Sequence, residues 1–213
     1  MKKLCTGLVM LLMLVCIAGC GGEKPKDTAD QAVLAFAELY AYGDTTNAAK
    51  TGMSEADIQK VSTQFQQATL QGFAAYKIPQ SAQQELTNYY LQALKDNMEM
   101  KASIKTDSDK NPVVELSFKA VDIMNFTKKM QTDDILMQLA ESRSLMEAAG
   151  TDPAQSMDYT DAVVQELKND IDEMPMLSAK TIEVKCKLAK DDKEKLFWNP
   201  EDVQGLATAF QAK

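Results

Sequence analysis

The chain has 213 residues, a formal net charge of −8 and no histidine. The missing histidine excludes Ser-His-Asp and Cys-His catalysis, histidine-bound zinc and imidazole proton transfer near neutral pH. The acidic balance argues against nucleic acid as a partner and against broad electrostatic docking on anionic lipid.

Met1-Lys2-Lys3 opens an apolar run from Leu4 to Ile17, which ends in Ile17-Ala18-Gly19-Cys20. The run is short for a membrane-spanning helix, which takes about 20 apolar residues. It fits a signal peptide core of about 7–15. Two small residues followed directly by cysteine, then Gly21-Gly22 and a polar stretch, form the layout of a bacterial lipoprotein signal. The pattern predicts a signal peptide over residues 1–19, cleavage between Gly19 and Cys20, and a diacylglyceryl group on the Cys20 sulfur. Stable anchoring takes at least two acyl chains. Residues 20–27 are then the lipidated cysteine and a short tether. Cys5 and Cys16 leave with the signal, so Cys186 has no partner for an internal disulfide.

Residues 28–213 read as a single domain, long enough to bury about 70% of its unfolded surface. Thr28-Ala29-Asp30-Gln31 fits a capping box, and Val33, Phe36, Ala37 and Tyr40 form the apolar stripe of a first helix ending at Gly43-Asp44. Ser54-Glu55-Ala56-Asp57 opens a second helix carrying Ile58, Val61, Phe65, Thr69 and Phe73. Ser81-Ala82-Gln83-Gln84 opens a third with Leu86, Tyr90 and Leu94 inward. All three follow a period of 3.6.

The period then changes to two. Met100, Ala102 and Ile104 alternate with polar residues, Asp107 to Pro112 is a turn by composition, and Val114, Leu116, Phe118 and Ala120 alternate again. This predicts an antiparallel hairpin. A helical stretch from Asp122 to Ala149 follows, with Phe126, Met130, Leu136, Met137, Leu139 and Met146 as apolar positions and a break expected near Thr132-Asp133-Asp134. A helix from Met157 to Met174 uses Val163, Val164, Leu167 and Ile171. Ala179 to Lys190 reads as a strand, Lys190 to Lys193 as a turn, and Lys195 to Trp198 as a short strand. Asn199 as N-cap and Pro200 at the first helical position open a last helix with Val203, Leu206, Ala207 and Phe210 inward. Helices and strands segregate rather than alternate singly. The expected fold is α+β and helix-rich, with helices packed on a small antiparallel sheet made of two hairpins.

Few residues point to chemistry. Asp107-Ser108-Asp109-Lys110-Asn111 starts like a calcium loop but places Pro112 and Phe118 where glycine and glutamate are needed; it reads as a solvated turn. The pairs Asp133-Asp134 and Asp191-Asp192 read as helix capping and turn solvation. Asp158, Asp161, Glu166, Asp170, Asp172 and Glu173 read as one solvated helix face. Lys185, Lys187, Lys190, Lys193 and Lys195 read as an exposed sheet face or edge, with contact to phosphate headgroups or an anionic polymer as the sharper option. Cys186 lies on the apolar face of its strand and reads as a small buried hydrophobe. Trp198 is expected to lock the last strand onto the core. No catalytic, cofactor-binding or metal-binding residue is assigned.

The signal at Ile17 to Cys20, the helix end Ala35-Phe36-Ala37-Glu38-Leu39-Tyr40-Ala41-Tyr42-Gly43-Asp44, and Leu196-Phe197-Trp198-Asn199-Pro200 before a last amphipathic helix together resemble uncharacterised small bacterial lipoproteins carrying a domain of unknown function. That resemblance implies a nuclear-transport-factor-2-like or cystatin-like α+β fold and no catalytic residues. The functional expectation is a non-catalytic lipoprotein on the extracytoplasmic face of a cell membrane, held there by Cys20 and binding a protein partner or small ligand. The alternatives are an enzyme using carboxylates and tyrosines in a cone-shaped pocket, and a structural or chaperone-like envelope protein.

Overall fold

The computed structural model describes residues 24–210. The predicted signal peptide and the predicted cleavage and lipidation residues, Gly19 and Cys20, lie outside the described residues. The fold is α+β and helix-rich, as expected, with seven α-helices and four strands among the described residues.

The first helix, α1 (Ala29–Tyr42), begins where the Thr28 amide donates to Gln31 Oε1 at 3.3 Å, and ends at Gly43 in the left-handed region, φ 73°. The sequence suggests one apolar stripe, but Ala32, Ala35, Leu39, Ala41 and Tyr42 are buried as well, while Tyr40 is only half-buried. The reason is position. One side of α1 packs on the sheet and another covers a small cluster of Leu39, Ala48 and Ile58. A helix apolar nearly all round is a buried helix, and its alanines let neighbours approach closely.

A 3-10 turn at Ala48–Thr51 leads to α2 (Glu55–Phe73), capped by Ser54 Oγ, which accepts from the Asp57 amide at 3.2 Å. A second 3-10 turn at Ala74–Tyr76 leads to α3 (Gln80–Asn97). Here the expected start at Ser81 is corrected. Pro79 occupies the cap position, and the Gln83 side chain reaches back to the Ile78 carbonyl at 2.8 Å. Proline lacks the amide that a helix start leaves without a partner, so it suits this end.

Strands β1 (Lys101–Thr106) and β2 (Val113–Phe118) form the first hairpin. Val114, Leu116 and Phe118 of β2 are essentially inaccessible; each such side chain contributes about 1.5–3 kcal/mol of burial. β1 is an edge strand, and its Ile104, expected inward, is 41% exposed. An edge strand covers its own face only where another layer reaches it.

The long helical stretch breaks where the sequence suggests, into α4 (Ile123–Thr132) and α5 (Asp134–Ala148), with Asp133 capping α5. Of its expected core positions Leu136 is buried, Phe126, Met130, Leu139 and Met146 are partly buried, and Met137 is exposed. A 3-10 turn at Pro153–Gln155 precedes α6 (Met157–Asp172), whose Tyr159, Val163, Leu167 and Ile171 pack with Phe73, Ile78, Ala82 and Leu86 in a second core.

Strand β3 (Lys180–Lys190) pairs antiparallel with β2, Val114 opposite Val184 and Leu116 opposite Ile182. Strand β4 (Leu196–Pro200) pairs with β3, Leu188 opposite Trp198. The two hairpins therefore join into one sheet of order β1-β2-β3-β4. The last helix, α7 (Val203–Ala209), is capped by Asp202, whose Oδ1 accepts from the Gly205 amide at 2.7 Å. This corrects the expectation for Asn199 and Pro200. Both end β4, and both are buried. β4 is an edge strand, where proline costs no ladder bond.

Candidate functional site

The acidic residues of α6 do not share one environment. Asp158, Asp161 and Asp172 face solvent, as the solvated-face reading expects. Asp170 does not; it is 1% exposed. It sits one helical turn after Glu166, which is half-buried, and both flank the apolar stripe of Val163, Leu167 and Ile171. Residues four apart on a helix are neighbours, so α6 carries two carboxylates side by side at the rim of the second core.

Asp133 completes the group from the break between α4 and α5. One carboxylate oxygen from each of Asp133, Glu166 and Asp170 lies within 4.8 Å of the others. Asp133 is held by its capping role, its Oδ1 accepting from the Leu136 amide at 2.7 Å. Glu166 Oε2 accepts a long 3.3 Å bond from the Asn169 side chain. Lys129, on α4, is the cation that reaches this group. Its Nζ stands 2.6 Å from Glu173 Oε2 and 3.4 Å from Asp170 Oδ1. The closer partner is thus the exposed Glu173. Asp170 Oδ2 is buried and has no hydrogen-bond donor among the described residues. An acceptor left so costs about 1–3 kcal/mol.

The electrostatics follow from this arrangement. Burial pushes the Asp170 carboxyl above its ordinary value; Lys129 opposes that shift, and the charges of Asp133 and Glu173 reinforce it. For Lys129 burial acts downward, but the bonds to Glu173 and Asp170 outweigh it and raise the ammonium. The Tyr76 hydroxyl, pushed up to about 12, responds first to burial and then to Asp170, Tyr159 and Asp133. Tyr76 is placed by its backbone, whose carbonyl accepts from the Tyr159 hydroxyl at 2.7 Å. The group therefore offers oxygen ligands only, of the kind that hard cations take.

The acidic group was legible only in part. The sequence reading of Asp133 as a cap holds. What it misses is that Glu166 and Asp170, spaced i and i+4 beside an apolar stripe, turn inward with it; that spacing was the available signal.

A second feature lies about a turn and a half back along α6, roughly 8 Å at 1.5 Å of rise per residue. Ser81, Ala82 and Glu85 of α3 and Thr160, Asp161, Val164 and Gln165 of α6 line an open groove of about 390 Å³. Glu85 is paired with Lys168 at 2.6 Å. The Thr160 hydroxyl in this groove is buried without a partner among the described residues.

The other sequence candidates fall where their bland readings put them. Ser108 Oγ accepts from the Asn111 amide at 3.2 Å inside the first hairpin turn. Asp191 Oδ1 accepts from the amides of Lys193 and Lys195, organising the second turn. Lys185, Lys190, Lys193 and Lys195 are exposed, with Lys190 paired to Glu194 at 2.6 Å, and Lys187 is half-buried. Cys186 is 0% exposed, and burial pushes its thiol up to about 12. Trp198 is half-buried against the main core.

No family model matches the chain, and no curated protein matches it. Among solved structures the chain is similar to that of a candidate lipoprotein (ycdA) from Bacillus subtilis. The two share 16% identity at a TM-score of 0.47, over 87% of this chain and 56% of that one. The chain thus spans a little over half the length of that protein, and a likeness this loose transfers no residue roles.

Proposed function

We propose that the chain is a lipid-anchored, non-catalytic protein of the cell envelope, facing the extracytoplasmic side, whose folded region binds a protein partner or a small ligand. The observation that carries this reading is Ile17-Ala18-Gly19-Cys20 at the end of an apolar run behind Lys2 and Lys3. A signal peptide needs an apolar core of just this kind, and a cysteine directly after two small residues supplies a thiol for the acyl carrier. The tether supports it too. The first helix starts at Ala29, so only a short polar link would separate the lipid from the fold. No helix among the described residues is long and apolar enough to cross a membrane, so in this reading the acyl chains are the attachment. The lack of histidine removes the commonest proton-transfer side chain and supports a binding role over a catalytic one.

The test is cell fractionation with labelled palmitate, comparing the parent chain with Cys20→Ser. The parent should take up label and sediment with membranes. The variant should lose the label and either remain uncut or appear in the soluble fraction. A shortened, membrane-bound Cys20→Ser protein would overturn the anchor. Substrate turnover at enzyme-like rates by the purified chain would overturn the non-catalytic half.

A further inference from the structure

We infer that Asp133, Glu166 and Asp170 form a binding site for a divalent cation, Ca²⁺ by its chemistry, which fastens the start of α5 to α6. The inference is independent of how the chain is anchored.

Three observations combine. The first is spacing. One oxygen from each residue lies within 4.8 Å of the other two. Ca²⁺ binds oxygen at about 2.3–2.6 Å, so a single ion can touch all three with little movement. The second is the state of Asp170. Its side chain is 2% exposed and joins this group, yet Oδ2 meets no donor among the described residues. A buried carboxylate oxygen without a donor is a ligand position. The third is Lys129. It is the cation already near the site, but it stands on the Oδ1 side of Asp170 and is drawn off by Glu173 at 2.6 Å. One ammonium shared in this way leaves Asp133 and Glu166 uncompensated, and leaves Oδ2 free.

The ligand set favours Ca²⁺ within the hard divalent class. All three donors are carboxylates, and no sulfur or imidazole is offered. Two come from one helix and one from a helix cap. Ca²⁺ accepts six to eight oxygens in irregular shells, whereas Mg²⁺ demands a near-ideal octahedron and keeps most of its water. Asp133 and Glu166 are half-buried, so solvent can complete the shell. A site with three protein carboxylates and solvent in the remaining positions belongs with extracellular modules, whose affinities are about 10⁻⁴–10⁻³ M.

The experiment uses the full chain purified in detergent and stripped with a chelator. Its unfolding midpoint is followed while CaCl₂, MgCl₂ or MnCl₂ is raised to about 10 mM, ten times the weakest affinity expected. Isothermal titration of the same samples counts the ions. The midpoint should rise with Ca²⁺, with one ion bound per chain and a weaker response to Mg²⁺. Glu166→Gln should weaken Ca²⁺ binding at least tenfold while the stripped variant still unfolds cooperatively, because Glu166 is at the rim. Asp170→Asn should abolish binding; if that variant does not fold, Glu166→Gln decides. Asp161→Asn, in the groove, should bind as the parent does. Equal Ca²⁺ affinity in Glu166→Gln and the parent would overturn the site. So would a midpoint that none of the three ions moves, and tighter binding of Mg²⁺ than of Ca²⁺ would overturn the choice of ion.

Discussion

Gly52 lies so close to Phe197 that a Cβ added to the glycine would overlap the aromatic ring. The contact brings the 3-10 turn after α1 against β4, at the far edge of the sheet. Gly52 also has φ 69°, a conformation that side chains rarely adopt.

Gly52→Ala meets both penalties, steric overlap and left-handed strain. It should cost about 2–4 kcal/mol. Replacing Phe197 with leucine in the same chain should recover part of that loss, because the two sites share one contact. Urea unfolding of the single and double variants checks this. Additive losses would show that the overlap is relieved elsewhere.

Asp202, not Asn199, should matter as the cap of α7. Asp202→Ala removes the acceptor for the Gly205 amide and should cost about 1 kcal/mol. The helical signal and the unfolding midpoint report it. Asn199 is 5% exposed and its side chain donates to the Pro200 carbonyl at 3.1 Å. Its replacement should therefore disturb β4 rather than α7. Hydrogen exchange separates the two, as slow amides lost in β4 or in α7.

The difference between these two residues shows what the sequence carries. Asn-Pro-Glu-Asp contains a cap, a proline and acids in the order a helix start prefers, and local rules choose the earlier cap. The competing demand is sheet pairing. Cys186 takes Pro200 as its partner, which draws two more residues into β4. That demand acts between strands, reaching Pro200 from Cys186 across the β3–β4 turn, and the helix-start pattern at Asn199 does not weigh it. The same holds for β2 and β3. Their alternation was legible, but their pairing across three helices was not. Helix periods, the break at Asp133 and the buried face of Cys186 were all readable, because each depends on neighbours within a turn or two. The inward turn of Asp170 lay between these cases. Its spacing from Glu166 was visible, but its burial comes from elements remote in sequence, among them α4, whose Lys129 reaches it.

The Cys186 thiol should be inert in the folded protein. It is fully buried and pushed up to about 12 by burial, with the Glu201 charge acting the same way. Thiolate is the reactive form, so a thiol reagent at about pH 8 should leave the mature native protein unmodified, well below that value. In denaturant one thiol per chain should react at once. A second reacting thiol would mean that Cys20 carries no acyl group.

Asp44 should make stability fall in acid. Burial pushes its carboxyl up, but Lys95 at 2.7 Å and two bonds from Thr46 outweigh this and hold it below its usual 3.8. A carboxyl lowered in the folded state adds stability that is full above its unfolded value and is lost as pH falls through the folded value. Lys95 is 44% exposed, so screening limits the gain to about 1 kcal/mol or less. Asp44→Asn should therefore be weaker than the parent at pH 7, and the gap should narrow below about pH 4. A gap that stays constant down to pH 2 would contradict the assignment.

Val121 bridges Met176, with the Asp122 amide donating to Pro175 and the Leu177 amide to Ala120. The chain thus leaves the sheet and returns to it through one narrow neck. Gly150 lies in the connection between α5 and the following turn, and a Cβ added to it would meet nothing within 4 Å. Lengthening a loop adds only about 0.6 kcal/mol of closure entropy per doubling. With the neck fastened, sequence can be added at Gly150 without shifting the register of β2 on β3. Gly150 is thus a graft point: a reporter or affinity tag placed there would start from an exposed turn.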